Sequence, residues 1–289
     1  MKPVFYASEI ASLLGKNRFK SKNESLYRVL SKMPRFASAF ASAADSLTER
    51  DILEIAPTSV KQDIEKAISE TIVSTSQKEI KQTILEFQKR TAETLLNDAI
   101  SGNAITAELQ NVGERILKGE TTVKQELEKL EVSPVVQTLT SQIQKQRGTR
   151  MESIAEDELG AKTGIAVSNR NTPVRYESLH YIIVGYIDGT SGDRIVETKN
   201  RKHFWGSPPE YDLIQLRCYM KMKGNVDGVL LERFPTGITR ETLLHWDDSE
   251  WDILDSALRN LANGIEKMTL PEAERIVREI LTKTDKKTR

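Results

Sequence analysis

The chain has one cysteine in 289 residues. Cys218 therefore has no partner for an intramolecular disulfide, which excludes the small stapled secreted scaffolds and points to a reducing compartment, cytosol or nucleus. Net charge is missing as well. The 42 Lys and Arg residues balance 42 Asp and Glu residues, so any site for nucleic acid must be a local patch on a neutral molecule. Aromatic residues make up only 6%. No run approaches the ~18 consecutive apolar residues that a bilayer span requires, so no membrane partner is expected. The N-terminal MKPVFYASEIASLLGKNRF is broken by Ser, Glu, Lys and Asn before it reaches a signal-peptide core, and it reads as mature structure. Zinc-ligand spacings and a phosphate-binding P-loop are absent too, so an internal ATP motor is not expected. What remains is a soluble globular composition, 38% hydrophobic and 29% charged, long enough for one large core or two domains.

Three textures follow one another. Residues 1–44 read as a small helical segment: Ser8 or Ala7 opens a helix carrying Ile10, Leu13 and Leu14, Gly15 stops it, and a second helix carrying Leu26, Val29 and Leu30 runs to near Pro34. Residues 45–145 show almost no strand signal. Ser46 with Glu49, Ser59 with Gln62 and Ser76 with Glu79 each match a capping box, and Ile80, Ile84, Phe87, Leu95, Leu96 and Ile100 recur at helical spacing. This block is predicted to be a helical insertion. From residue 146 the period changes. HYIIVGYID, RIVETK, VDGVLLERF and ITRETLLHW read as strands, YDLIQLRCYMKMKG and DSEWDILDSALRNLANGIEKM as helices, and Thr269 with Glu272 opens a last helix. The fold class expected is α/β, with helices flanking a mixed sheet.

The chemistry gathers in YIIVGYIDGTSGDRIVETKN. Asp188 ends one apolar strand, Gly189 to Asp193 reads as a turn, and Glu197 and Lys199 stand two apart on the next strand, hence on one face. Ile195, Val196 and Thr198 are expected to point away from that pair. Two carboxylates and an ammonium at the open end of a hairpin suit phosphodiester hydrolysis. Carboxylate oxygens hold hard divalent cations, the cations stabilise charge on the attacking and leaving oxygens, and lysine steers the water. A surface ion pair would look the same, and three further features weigh against it. Glu152, in the first turns of a helix opened near Gly148 or Thr149, offers a third acid. Gln215 and Tyr219 share a helix face at i and i+4. KNRKHFW sets Lys199, Arg201, Lys202 and His203 beside Phe204 and Trp205, cations for phosphates and rings for bases. His180, His245, Trp246 and Trp251 read as structural, and Cys218 as a packed core thiol.

The ordered set G-T-x-x-E, a strand ending I-D-G, V-E-T-K and Q-x-x-x-Y resembles the PD-(D/E)XK nucleases. Within them it is similar to the lambda exonuclease type, also called viral recombinase exonucleases. FYASEIASLLGKNRFKSKNESLYRVL looks like that family's N-terminal DNA-end motif, so the resemblance covers about residues 4–33 and 146–234. It implies a restriction-endonuclease-like core and a 5′-to-3′ exonuclease on duplex DNA ends, in recombination, repair or viral DNA processing. The implied cofactor is Mg2+ or Mn2+, in a two-metal site held by Asp188, Glu197, the Thr198 backbone carbonyl and Glu152. Lys199 would act on the water and Gln215 would support the site. Ser8, Lys16 and Arg18 would face the terminal phosphate, with Arg201, Lys202 and Tyr219 as further DNA contacts. A single-strand annealing or other recombination partner and a homo-oligomer are implied as well.

Two departures stand out: Ile187 replaces the signature proline, and Thr198 replaces the usual aliphatic residue between Glu197 and Lys199. The helical block has no counterpart in the motif set. Rival readings on the same core are a structure-specific endonuclease, a single-strand exonuclease, or an inactive DNA-binding or assembly protein. A further rival is a helical scaffold whose function lies in residues 45–145.

Overall fold

In the computed structural model, residues 1–43, 48–74, 76–204, 206–234 and 237–287 are described. They fall into two units, Met1–Ala44 with Glu152–Lys287, and Asp45–Met151. The first opens with β1 (Val4–Tyr6), α1 (Ala7–Leu13), α2 (Lys22–Leu30) and a 3-10 helix, Pro34–Ala43. Tyr6, rather than Ser8, stands at the N-cap of α1, and its side chain makes no capping bond. Ser21 and Glu24 form a reciprocal capping box on α2. The buried Glu9 carboxylate accepts from Lys20, Ser25 and Arg28, so α1, the basic turn and α2 converge on one anion. Burial pushes the Glu9 carboxyl up, but these bonds and the charges of Lys20 and Arg28 outweigh it and hold the group below its usual range.

In the second unit every regular element among the described residues is a helix: α3 (Glu49–Ile55), α4 (Thr58–Val73), α5 (Gln77–Ile100), α6 (Ala107–Leu117), α7 (Val123–Glu131) and the first part of α8 (Pro134–Thr163). Ser76 caps α5 by accepting from the Glu79 amide, but the box is not reciprocal, because the Glu79 carboxylate accepts from the Ser74 hydroxyl instead. Ser59 does not cap α4, which starts one residue earlier behind Pro57, a residue whose fixed φ suits a helix entrance. Ser46 lies outside the described residues; the cap found there is Thr48 with Asp51. Ile64, Ile68, Phe87, Leu139 and Ile143 fill one core of this unit, and Leu95, Leu96, Leu109 and Val136 another.

The chain then returns to the first unit through the rest of α8 and two mixed sheets. One has the order β1-β3-β2, with β3 (Ile182–Ile187) parallel to β1 and antiparallel to β2 (Thr172–Glu177). The other is β4-β5-β6-β7, from β4 (Gly189–Ser191), β5 (Arg194–Asn200), β6 (Gly228–Arg233) and β7 (Thr239–Leu244). β5 and β6 run parallel, so their connection must cross over, and α9 (Glu210–Met222) is that crossover. α10 (Asp248–Lys267) and α11 (Leu270–Lys287) complete the chain, α11 opened by Thr269 bonded to Glu272. The architecture is α/β, mixed sheets flanked by helices. No helix among the described residues is long and apolar enough to cross a membrane.

Three local expectations are corrected. Gly189 to Ser191 is strand rather than turn, so Asp188 sits at a bend between β3 and β4, and the true hairpin is β4–β5, reversed at Gly192 with φ 60°. Ile195 lies on the same face as Glu197 and Lys199, as a two-residue period demands, and enters the main core; Val196 packs on the other side with Ala155 and Leu159 of α8. Glu152 stands mid-helix, because Gly148 weakens α8 without ending it.

Candidate active site

Strand β5 places the candidate site groups. Gly189 pairs with Val196 across the hairpin, which sets the preceding residue, Asp188, beside Glu197. The Thr198 amide donates to Asp188 Oδ2 at 2.7 Å, fixing the carboxylate against the strand that carries the other two groups. Lys199 Nζ lies 2.6 Å from Glu197 Oε1, 3.3 Å from Gln215 Oε1 and 3.9 Å from Asp212 Oδ1. Gln215 in turn donates to the Tyr219 hydroxyl at 3.3 Å. That ring reaches in only because Gly185 has no side chain: a Cβ there would sit 2.6 Å from Tyr219 Cε1.

Burial sets the electrostatics. Glu197 is 1% exposed and its Oε2 has no hydrogen-bond partner. Burial pushes its carboxyl up to about 8, opposed by the Lys199 ammonium and reinforced by the charge of Asp188. Desolvation also raises Asp188, and raises Glu152 to about 7, with Asp188 adding to the latter. Burial alone would push the Lys199 ammonium down, but the carboxylates of Glu197, Asp212 and Asp188 outweigh it and hold it up.

One residue in this constellation was not singled out from sequence. Glu156, one turn after Glu152 on α8 and buried, accepts from the Thr198 hydroxyl at 3.2 Å and pairs with Arg170 Nε at 2.8 Å. Burial pushes it up to about 7 against the pull of Arg170. Its i, i+4 spacing from Glu152 was the available signal. It also accounts for the threonine between Glu197 and Lys199: an aliphatic side chain could not donate to Glu156.

The other expected site residues divide. Asp188, Glu197, Thr198, Lys199 and Gln215 come together, and the charges of Asp188 and Lys199 act on Glu152. Tyr219 is 3% exposed with its hydroxyl engaged by Gln215, so it braces the site and does not face a DNA strand. Arg201 is corrected in the same way. Its guanidinium is buried, donating to Asp212 at 2.7 Å and Glu232 at 2.8 Å. Lys202 and His203 are exposed, and Trp205 lies outside the described residues. Ser8 is exposed on α1, Lys16 is 3.3 Å from Glu210, and Arg18 lies over the Phe19 ring. Cys218 is buried in the core with its thiol pushed up to about 12, which fits packing and not nucleophilic chemistry.

The donor chemistry fits a hard divalent cation. Carboxylate oxygens dominate, several are held above their usual range by burial, and Glu197 Oε2 is buried without a partner. Among the described residues, however, no three His, Cys, Asp or Glu side chains are already gathered as a metal cluster. Lys199 and the Thr198 amide each occupy one carboxylate oxygen.

The chain matches no protein-family model and none of the curated proteins. Among solved structures it is similar to an alkaline exonuclease from Laribacter hongkongensis, at 17% identity and a TM-score of 0.35, over 49% of this chain and 74% of that one. A phage-related exonuclease from Haemophilus somnus matches at 14% identity and a TM-score of 0.32, over 48% of this chain and 73% of that one.

Proposed function

We propose that this chain is a divalent-metal-dependent deoxyribonuclease with a restriction-endonuclease-like core, acting from the 5′ side on duplex DNA ends. The observation that carries the chemistry is the Asp188–Glu197–Lys199 group, set at the bend before β4 and along β5, with one buried Glu197 oxygen left unsatisfied. Direction and end preference rest on the resemblance of the ordered motifs. So does a role beside a recombination partner.

Asp188 and Glu197, with the Thr198 carbonyl and Glu152, would hold one or two Mg2+ or Mn2+ ions, which supply charge stabilisation to the attacking and leaving oxygens. Lys199, kept protonated by its carboxylate neighbours, positions the attacking water through an N–H donor, while Gln215 and Asp212 fix where that ammonium sits. Tyr219 holds Gln215 from behind. Exposed Lys202 and the turn bearing Lys16 and Arg18 offer cations to the DNA backbone.

The test is hydrolysis of a labelled duplex with Mg2+ or Mn2+ against excess chelator, combined with Lys199→Met. The variant is expected to lose about 10²-fold or more in single-turnover rate. Its affinity for DNA, measured in Ca2+, should stay within about threefold, because binding is spread over many phosphates. A defect confined to affinity would make Lys199 an ordinary phosphate contact, and full activity in chelator would exclude the metal.

Glu156 and Thr198 act as one unit in this scheme. Glu156→Ala and Thr198→Val are each expected to lower turnover roughly tenfold, and the double variant to be no worse than either, since both break the same bond. Additive losses in rate would show that the two side chains act independently.

A further inference from the structure

Phe204 is 70% exposed, an unusual state for a large apolar ring, on the loop between β5 and α9. A single exposed aromatic would mean little; this one is built in. Its ring centroid lies 4.8 Å from that of Phe234, and the Arg240 guanidinium sits 5.4 Å from both rings. Arg240 is itself held by Glu232 at 2.7 Å and by the Gly206 carbonyl at 3.2 Å, the latter on the same loop. From Glu232 the charged bonds continue through Arg201 to Asp212, whose other oxygen is 3.9 Å from Lys199 Nζ. An unbroken chain of charged contacts thus ties the exposed ring to the lysine of the candidate active site. Lys202 and His203, both exposed, directly precede it in the chain.

We propose that Phe204 is a stacking platform for an unpaired nucleobase of the DNA strand entering the site, a binding role that rests on the nuclease reading above. A ring serves any base, because every base has a π-face, and neighbouring cations take the phosphates on either side. Phe234 and Arg240 hold the ring, so little ordering is left for binding to impose. Arg201 and Glu232, within the fold, keep the loop in step with β5. The basic-aromatic run is therefore split: Arg201 works inward, and Lys202, His203 and Phe204 work outward.

The test compares two single strands of equal length in Ca2+, one with ordinary bases and one built of abasic deoxyribose phosphates throughout. Phe204→Ala is expected to bind the ordinary strand about tenfold more weakly than the native chain, and the abasic strand equally well. Phe204→Trp should restore binding to the ordinary strand, which separates stacking from damage to the fold. Equal losses on both strands, or no loss on either, overturn the platform. If the native chain neither binds DNA nor hydrolyses it with Mg2+ or Mn2+, the nuclease reading has failed and the platform falls with it, an outcome distinct from a native chain that binds bases regardless of Phe204.

Discussion

Asp188→Asn and Glu197→Gln are each expected to lower phosphodiester hydrolysis by about 10³-fold or more, roughly 4 kcal/mol of transition-state stabilisation. The fold should survive, and the stability of Glu197→Gln relative to the native chain should rise with pH. Its carboxyl is buried, one oxygen has no partner, and burial holds it up at about 8. The folded form therefore binds a proton more tightly than the unfolded chain does. The stability this confers is complete below the ordinary carboxylate value and is lost as pH rises toward about 8. A neutral amide does not pay that penalty. The melting temperature of Glu197→Gln should accordingly gain on the native protein between pH 5 and pH 8, while hydrolysis stays abolished. Asp188→Asn keeps an acceptor for the Thr198 amide and should fold normally. Rates and thermal melts across that pH range decide the matter. A variant that still cleaves at the native rate excludes its carboxylate from the chemistry, and a Glu197→Gln variant whose melting temperature does not gain on the native one as pH rises would show that burial does not hold the carboxyl up.

The grouping of the candidate site was legible because strand periodicity is short and strict. Glu197 and Lys199 two apart, and Gln215 and Tyr219 four apart on a helix, have to share faces whatever the tertiary arrangement. The helical character expected of residues 45–145, found among the described ones from residue 48 on, was readable for the same local reason. What sequence could not supply was the partner of each side chain. Arg201 in a basic run looks like a phosphate contact; only the parallel register, which places Lys199 against Glu232 and Asn200 against Arg233, shows that a carboxylate waits for it inside. Tyr219 was assigned to the correct face, but its depth depends on Gly185 of a different strand. Gly189 to Ser191 reads as a turn by composition, yet pairing with β5 makes it strand. That single change converts Asp188 from a strand end into a bend between two sheets. Glu156 stands at i+4 from Glu152, but nothing local marks it until the Thr198 hydroxyl is seen donating to it.

Glu232→Ala is expected to destabilise the protein by about 3–5 kcal/mol, more than any exposed ion pair in the molecule could account for. Glu232 is 0% exposed on β6, with Oε1 taken by Arg201 and Oε2 by Arg240. Arg201 is itself buried and shared with Asp212, so removing Glu232 leaves one guanidinium short of a counter-charge in the interior and releases another from the sheet. Desolvation has already been incurred for these groups, which is why loss of one member costs more than the pair is worth by itself. The melting temperature should fall by roughly 10 °C. Adding Arg201→Met should recover part of the loss, because an apolar side chain removes the stranded charge, and the size of that recovery measures the coupling. Arg201→Ala alone should likewise lower stability, while DNA affinity per folded molecule stays near native. A drop of no more than about 2 °C for Glu232→Ala would place the network among weak surface pairs. A loss of affinity at full stability in Arg201→Ala would return that residue to the DNA interface.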